Sequence, residues 1–149
     1  MKLAKRLLRP QKGQSLIELA FGLVILLVIV TGTIELGRLM FQYVAMRDAA
    51  QEGAVFNSLY PTACNQTTER IRGSLYSADP SAINVDILVN GVSCSQATSA
   101  DACSSKEVVV KVEQPDYRIA VPFLGAVIGT QSINLNTTVR ATIIRPPCP

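Results

Sequence analysis

Apolar positions along this chain follow two spacings, one helical and one alternating, and the change falls near Pro61. From Leu19 to Ile34 sixteen consecutive residues carry no charge, bounded by Glu18 and Glu35. A helix over 14–35 rises ~33 Å, close to the ~30 Å hydrocarbon thickness of a bilayer, so the stretch predicts a membrane-spanning helix. Apolar or small residues then recur at Leu36, Leu39, Tyr43, Met46, Ala50 and Gly53, spaced 3, 4, 3, 4 and 3. That spacing predicts a helical seam, packed in its outer half on the chain's own outer domain. One helix of ~66 Å is expected from about Gln14 to Asn57, with Pro61 as its latest end.

Beyond Pro61 the pattern becomes two-residue alternation. It is clearest at Ile83 to Val89, at Val108, Val110 and Val112 between Glu107, Lys111 and Glu113, and from Ile133 to Ile143. Three strands, each with one apolar face, predict an antiparallel sheet laid on the outer half of the helix. Residues 66–78, with Ile71, Leu75 and Tyr76 at helical spacing, add a short helix. The apolar stretch 117–129 is broken by Pro122, Gly125 and Gly129 and reads as a connection with one helical turn.

Composition narrows the chemistry. The 149 residues include no His and no Trp. Ser/His/Asp triads, Cys/His dyads and HExxH zinc sites are therefore excluded. Asp86, Glu113 and Asp116 read as solvated strand or loop positions, and no catalytic residue or cofactor is expected. The net charge of +3 comes from 14 Lys and Arg against 11 Asp and Glu, yet Lys2, Lys5, Arg6, Arg9 and Lys12 supply five of the positives. Without them 9 positives face 11 negatives, leaving a net of −2. Nucleic acid would need a basic face on the folded part, which is not expected. A basic stretch directly before a spanning helix instead orients it, placing the N-terminus in the cytoplasm and the rest outside. Glu35 then sits at the outer interface, where Arg38, one turn on, pairs with it and snorkels. A secretory signal peptide has the same parts, with Val30-Thr31-Gly32 as a cut site, but the helical pattern runs on through Gly32 without a turn.

All four cysteines, Cys64, Cys94, Cys103 and Cys148, lie beyond the spanning run. No CxxC spacing occurs and His is absent, so two disulfides are expected and no metal site. Four cysteines allow three connectivities. Cys94 with Cys103, across neighbouring hairpin strands, and Cys64 with Cys148 is the pairing preferred on geometry.

The foot of the helix is the most informative stretch. Glu18 lies inside the edge of the spanning run, where a carboxylate is costly and by default has a partner. If the chain is cut after Gly13, Gln14 supplies a new α-ammonium one helical turn from Glu18, and the two desolvate together at far lower cost than apart. Basic leader, Gly, a glutamate five positions on and an unbroken apolar helix resemble the class III signal of type IV pilins. The strings Gly13-Gln14-Ser15-Leu16-Ile17-Glu18, Ile34-Glu35-Leu36-Gly37-Arg38 and Asp48-Ala49-Ala50-Gln51-Glu52-Gly53-Ala54 resemble the TadE-like pseudopilin family of tight-adherence (Flp-type) pilus systems.

The resemblance implies an α+β, pilin-like fold: a long N-terminal transmembrane helix continuing into a small antiparallel β-sheet domain. The expected pieces are a basic class III leader at 1–13, the transmembrane helix at 14–37, its extramembrane continuation at 38–58 and a disulfide-tied, β-rich domain at 59–149. It implies a non-catalytic subunit of the bacterial inner membrane, cut by a prepilin peptidase after Gly13, with Glu18 serving processing or assembly. Partners implied are that peptidase, other pilins and pseudopilins, Tad inner-membrane assembly proteins and the lipid bilayer. The competing expectation is an uncleaved, membrane-anchored binding module.

Overall fold

In the computed structural model, residues 13–75, 82–121, 125 and 129–148 are described. The predicted leader up to Lys12, and Tyr76 and Pro122, lie outside them. Helix α1 runs Gln14–Leu59, 46 residues and ~69 Å, with no proline inside it. Its last turn closes on the bond from Tyr60 N–H to the Phe56 carbonyl, and Pro61 follows. Helix α2 spans Cys64–Ser74, starting two residues earlier than the spacing predicted. Four strands follow: β1 (Asn84–Val89), β2 (Val92–Ser93), β3 (Glu107–Arg118) and β4 (Ser132–Thr142).

The sheet order is β2-β1-β3-β4, every neighbour antiparallel. This is the α+β arrangement expected. Strand β2 was not expected from the sequence. It forms because Asn90 (φ 51°) and Gly91 (φ 82°) make a two-residue turn with both φ positive, the geometry Asn-Gly favours in a tight hairpin. β3 outruns its predicted end by passing Pro115 and a register shift between Gln114 and Tyr117. Its pairing with β1 ends at Glu113, so Pro115 owes no hydrogen bond on that side.

α1 lies across β3 and β4, and α2 fills the gap between α1 and β1. Val108, Val110 and Val112 point inward with no exposed area, against Met46, Ala50 and Ala54 of α1, Ile71 of α2 and Ile83 and Val89. Each such side chain contributes about 1.5–3 kcal/mol on burial. Between the helices, the fully buried Asn57 donates Nδ2–H to Thr67 Oγ1 at 3.1 Å.

Two expectations are corrected. The buried stripe of α1 runs Glu35, Leu39, Gln42, Met46, Ala49, Ala50, Gly53 and Asn57, so at its lower end the seam is turned from the predicted one. Leu36 is 61% exposed and Tyr43 37%. The inward positions at that end are polar because β3 offers them hydrogen-bond partners there.

The disulfides are Cys64–Cys94 and Cys103–Cys148, replacing the predicted Cys94–Cys103 and Cys64–Cys148. Cys94 ends the β1–β2 hairpin and Cys103 precedes β3, but β1 lies between β2 and β3, so the two are not across a hairpin. Cys94 instead falls beside the first residue of α2, Cα to Cα 5.8 Å. Cys103 meets the C-terminal tail, held alongside by Ser104 N–H to the Pro146 carbonyl at 2.7 Å and Ser105 N–H to the Ile143 carbonyl at 3.0 Å. The loop between them is itself tied by Asp101, which accepts from the Thr98 hydroxyl, the Asn90 amide and the Thr98 N–H. Those bonds, the Thr98 hydroxyl foremost, hold its carboxyl below the ordinary range.

Candidate functional site

The predicted functional residues occupy two levels of α1: its foot, and the point where the helix first meets the sheet. Gly13 is the N-cap and Gln14 the first helical residue, both exposed. Ile17 N–H reaches the Gly13 carbonyl at 3.3 Å, and a Cβ on Gly13 would meet nothing within 4 Å. The peptide bond predicted to be cut thus sits where the helix begins, with no described residue packed on it. Glu18 is exposed one turn above Gln14, on the same face, and no hydrogen bond or ion pair joins it to another described residue.

From Leu19 to Ile34 the helix presents no charged side chain. Its spanning window has mean hydropathy 2.5 and none of it is buried, so the segment is long and apolar enough to cross a membrane. Its two threonines satisfy themselves: Thr31 Oγ1 donates to the Leu27 carbonyl and Thr33 Oγ1 to the Ile29 carbonyl, each at 2.8 Å. Hydroxyls bonded to the preceding turn leave no donor facing lipid unpaired. Gly22, Gly32 and Gly37 are open, each without a neighbour within 4 Å of a Cβ position.

The second level begins at Glu35, the first buried residue of α1, 6% exposed. Its Oε2 lies 3.5 Å from Arg38 Nη1, the pair expected at the outer interface. The sequence did not reveal its other bond. Oε1 accepts the backbone N–H of Ala120 at 3.1 Å, joining the end of β3 to the helix. Two turns up, Gln42 Nε2 donates to Gln114 Oε1 at 3.0 Å. β3 therefore descends along α1 and is clipped to it twice by polar groups. Polar residues at helical spacing among apolar ones, Glu35 and Gln42 with Leu39 and Met46, were the available signal; nothing in the sequence marks Ala120.

Replacing Glu35 with Ala is expected to destabilise the outer domain by about 1.5 kcal/mol, the low end for a bond to a charged group because Ala120 itself is exposed. The Arg38 contact adds little, since the guanidinium side chain is 61% exposed. Unfolding in detergent followed by circular dichroism reads the difference, and Glu35→Gln, which keeps an acceptor, should restore most of it.

Among the described residues no three His, Cys, Asp or Glu converge as metal ligands, and all four cysteine sulfurs are in disulfides. No curated protein and no solved structure matches the chain. The model of the family described as TadE-like protein matches residues 13–55, which takes in the foot, the spanning run and the Glu35 clip and leaves out α2, the sheet and both disulfides. Over residues 13–55, which hold Gly13, Gln14, Glu18, Glu35, Arg38 and Gln42, the chain is similar to the family described as TadE-like protein.

Proposed function

We propose that the chain is a pseudopilin subunit required to assemble a tight-adherence, Flp-type type IV pilus. A prepilin peptidase cuts it after Gly13 at the cytoplasmic face of the inner membrane. The product is a single-pass protein with its sheet domain outside and no catalytic activity of its own. The observation that carries this reading is the coincidence, within the TadE-like segment, of an exposed Gly13–Gln14 bond at the first turn of α1 with an unpartnered Glu18 one turn above it.

After the cut, the α-ammonium of Gln14 and the carboxylate of Glu18 lie on one face of one helix. A pair of opposite charges at the membrane edge is stable when desolvated together and costly when either stands alone. A subunit's own terminus, or that of a neighbour, supplies the partner, so register between subunits follows from charge and the apolar helix supplies adhesion. The open positions at Gly22, Gly32 and Gly37 allow another helix to approach closely. Other pilins and pseudopilins and the Tad inner-membrane assembly proteins are the partners in this scheme.

The mature N-terminal residue, read by mass spectrometry of the protein from cells with a Tad locus, is expected to be Gln14. Glu18→Ala is expected to abolish processing or piliation while leaving the protein in the membrane fraction. A mature protein that retains residues 1–13, with piliation indifferent to Glu18→Ala, would establish the uncleaved binding module instead.

A further inference from the structure

We infer, on the reading of α1 as a membrane-spanning helix, that its free face above Glu35 pairs with the same face of a second copy of this chain, the two helices parallel and in register.

Beyond Glu35, the residues Gly37, Phe41, Val44, Asp48, Gln51 and Val55 recur at spacings of 4, 3, 4, 3 and 4. All six are exposed, Phe41 by 65% and Val55 by 62%. At ~100° per residue they centre about 180° from the buried stripe of α1, so they face away from the sheet. Such spacing belongs to a helix that packs on another helix along a narrow seam. Steps of 3 and 4 carry the same face down through Val30 and Leu23 to Leu19, so one stripe runs from the uncharged run into the outer segment. Large apolar side chains lined up in water mark an interaction surface.

The bilayer and the charges on this face name its occupant. Two copies anchored by the same apolar run enter the membrane in one direction and at one depth, so their free faces meet parallel and level. Each seam position then faces itself: Phe41 meets Phe41, Val44 meets Val44 and Val55 meets Val55. A shift of one heptad would set Phe41 against Asp48 instead. Asp48 is the one charged seam residue, and Arg47 beside it borders the gap into which the facing Asp48 projects. Among the described residues, neither Arg47 nor Asp48 has an ion pair within its own chain. In the pair they make a neutral cluster, each charge opposite its complement across the seam. Gln51, one turn higher, both donates and accepts, so it bonds to its own copy. Polar groups at single seam positions fix register. A helix of another sequence must supply both complements separately; a second copy supplies them by symmetry. At the lower end Gly37 has nothing within 4 Å of a Cβ position, which lets the two backbones come close.

The sheet domains lie on the far sides of the two helices, so the pair forms without displacing any element of either domain.

The full chain carrying the photo-crosslinker benzoylphenylalanine in place of Val44 is reconstituted in phosphatidylcholine vesicles, washed at alkaline pH and irradiated over a series of protein-to-lipid ratios. A product of twice the chain's mass is expected, and none with the same group in place of the exposed Thr138 on the sheet. Arg47→Glu sets like charges against Asp48, and Asp48→Arg does so against Arg47. Each is expected to raise the ratio giving half-maximal product about tenfold, since two contacts per pair change from attraction to repulsion. Arg47→Asp combined with Asp48→Arg restores opposite charges only if the facing helix carries both changes, so recovery of the wild-type ratio identifies a second copy. Phe41→Ser, expected to lower the yield, repeats the reading if a charge variant does not fold by circular dichroism. A chain that stays in the vesicles without giving the product, or a double variant as weak as the single ones, overturns the inference. So does crosslinking only to a different protein in cells with a Tad locus. A chain stripped from the vesicles by the wash removes the spanning reading and the inference with it.

Discussion

Reduction of both disulfides is expected to unfold the outer domain while α1 keeps its helicity in the membrane. Cys64–Cys94 and Cys103–Cys148 close stretches with sequence separations of 30 and 45 residues, and chain-entropy arguments assign about 4 kcal/mol to a loop of either size. Two such contributions rival the whole stability of an ordinary domain, about 5–15 kcal/mol. The domain has few other reserves: it carries no Trp, its sheet has only four strands, and one of them is two residues long. The lower half of α1 draws on none of this, since its backbone is bonded internally and none of its apolar window is buried in the domain. Circular dichroism before and after reductant should show loss of the strand signal with retention of helix; a sheet that survives reduction would mean the hydrophobic core alone suffices. The connectivity has its own test. Cys94→Ser with Cys103→Ser should leave two free thiols, at Cys64 and Cys148, whereas the pairing preferred from sequence would leave an intact bond between them.

The disulfide connectivity depends on more than consecutive residues. Alternation, a proline-free apolar run and the Gly13-to-Glu18 spacing are local properties, and each is written in consecutive residues. From them came the long helix, the antiparallel sheet and the foot of α1. Strand order is not local. Cys94 and Cys103 are close in sequence and flank what reads as a hairpin, yet β1 sits between β2 and β3 because the Asn90-Gly91 turn folds the chain back first. That dipeptide was visible in the sequence and would have predicted β2; it would not have predicted which thiol lies next to α2. The phase of the seam failed for a related reason. Apolar spacing places apolar residues inward, but Glu35 and Gln42 face in because the descending strand brings Ala120 N–H and Gln114 to them. Leu36, at the outer end of the apolar run, is left exposed beside Glu35.

Substituting Gly53 with Leu is expected to destabilise the outer domain by about 3 kcal/mol, and with Ala by about 1–2 kcal/mol, against what helix propensity alone dictates. In an isolated helix Gly→Ala gains about 1 kcal/mol. At Gly53 a Cβ would stand 2.5 Å from both Cγ1 and Cδ1 of Ile71, closer than any real carbon contact, and 3.6 Å from Thr67 Cγ2. Ile71 has no exposed area and is packed in the same core as Val108 and Val110, so its side chain has nowhere to retreat. The accommodation left is for α2 to rise off α1. That separates Asn57 Nδ2 from Thr67 Oγ1, a buried bond worth about 1 kcal/mol, and opens Ile71 to water. Overpacking therefore outweighs propensity at this position, and the larger side chain should cost more because its full branch must enter the same gap. Gly53 lies in the last of the three strings that resemble the TadE-like family, two residues before the family match ends, where α1 packs against a second helix. Thermal unfolding of the full chain in detergent checks the order wild type, Ala, Leu. A gain in stability for Gly53→Ala would show that α1 and α2 are not in close backbone contact, and that the glycine serves something other than the packing of these two helices.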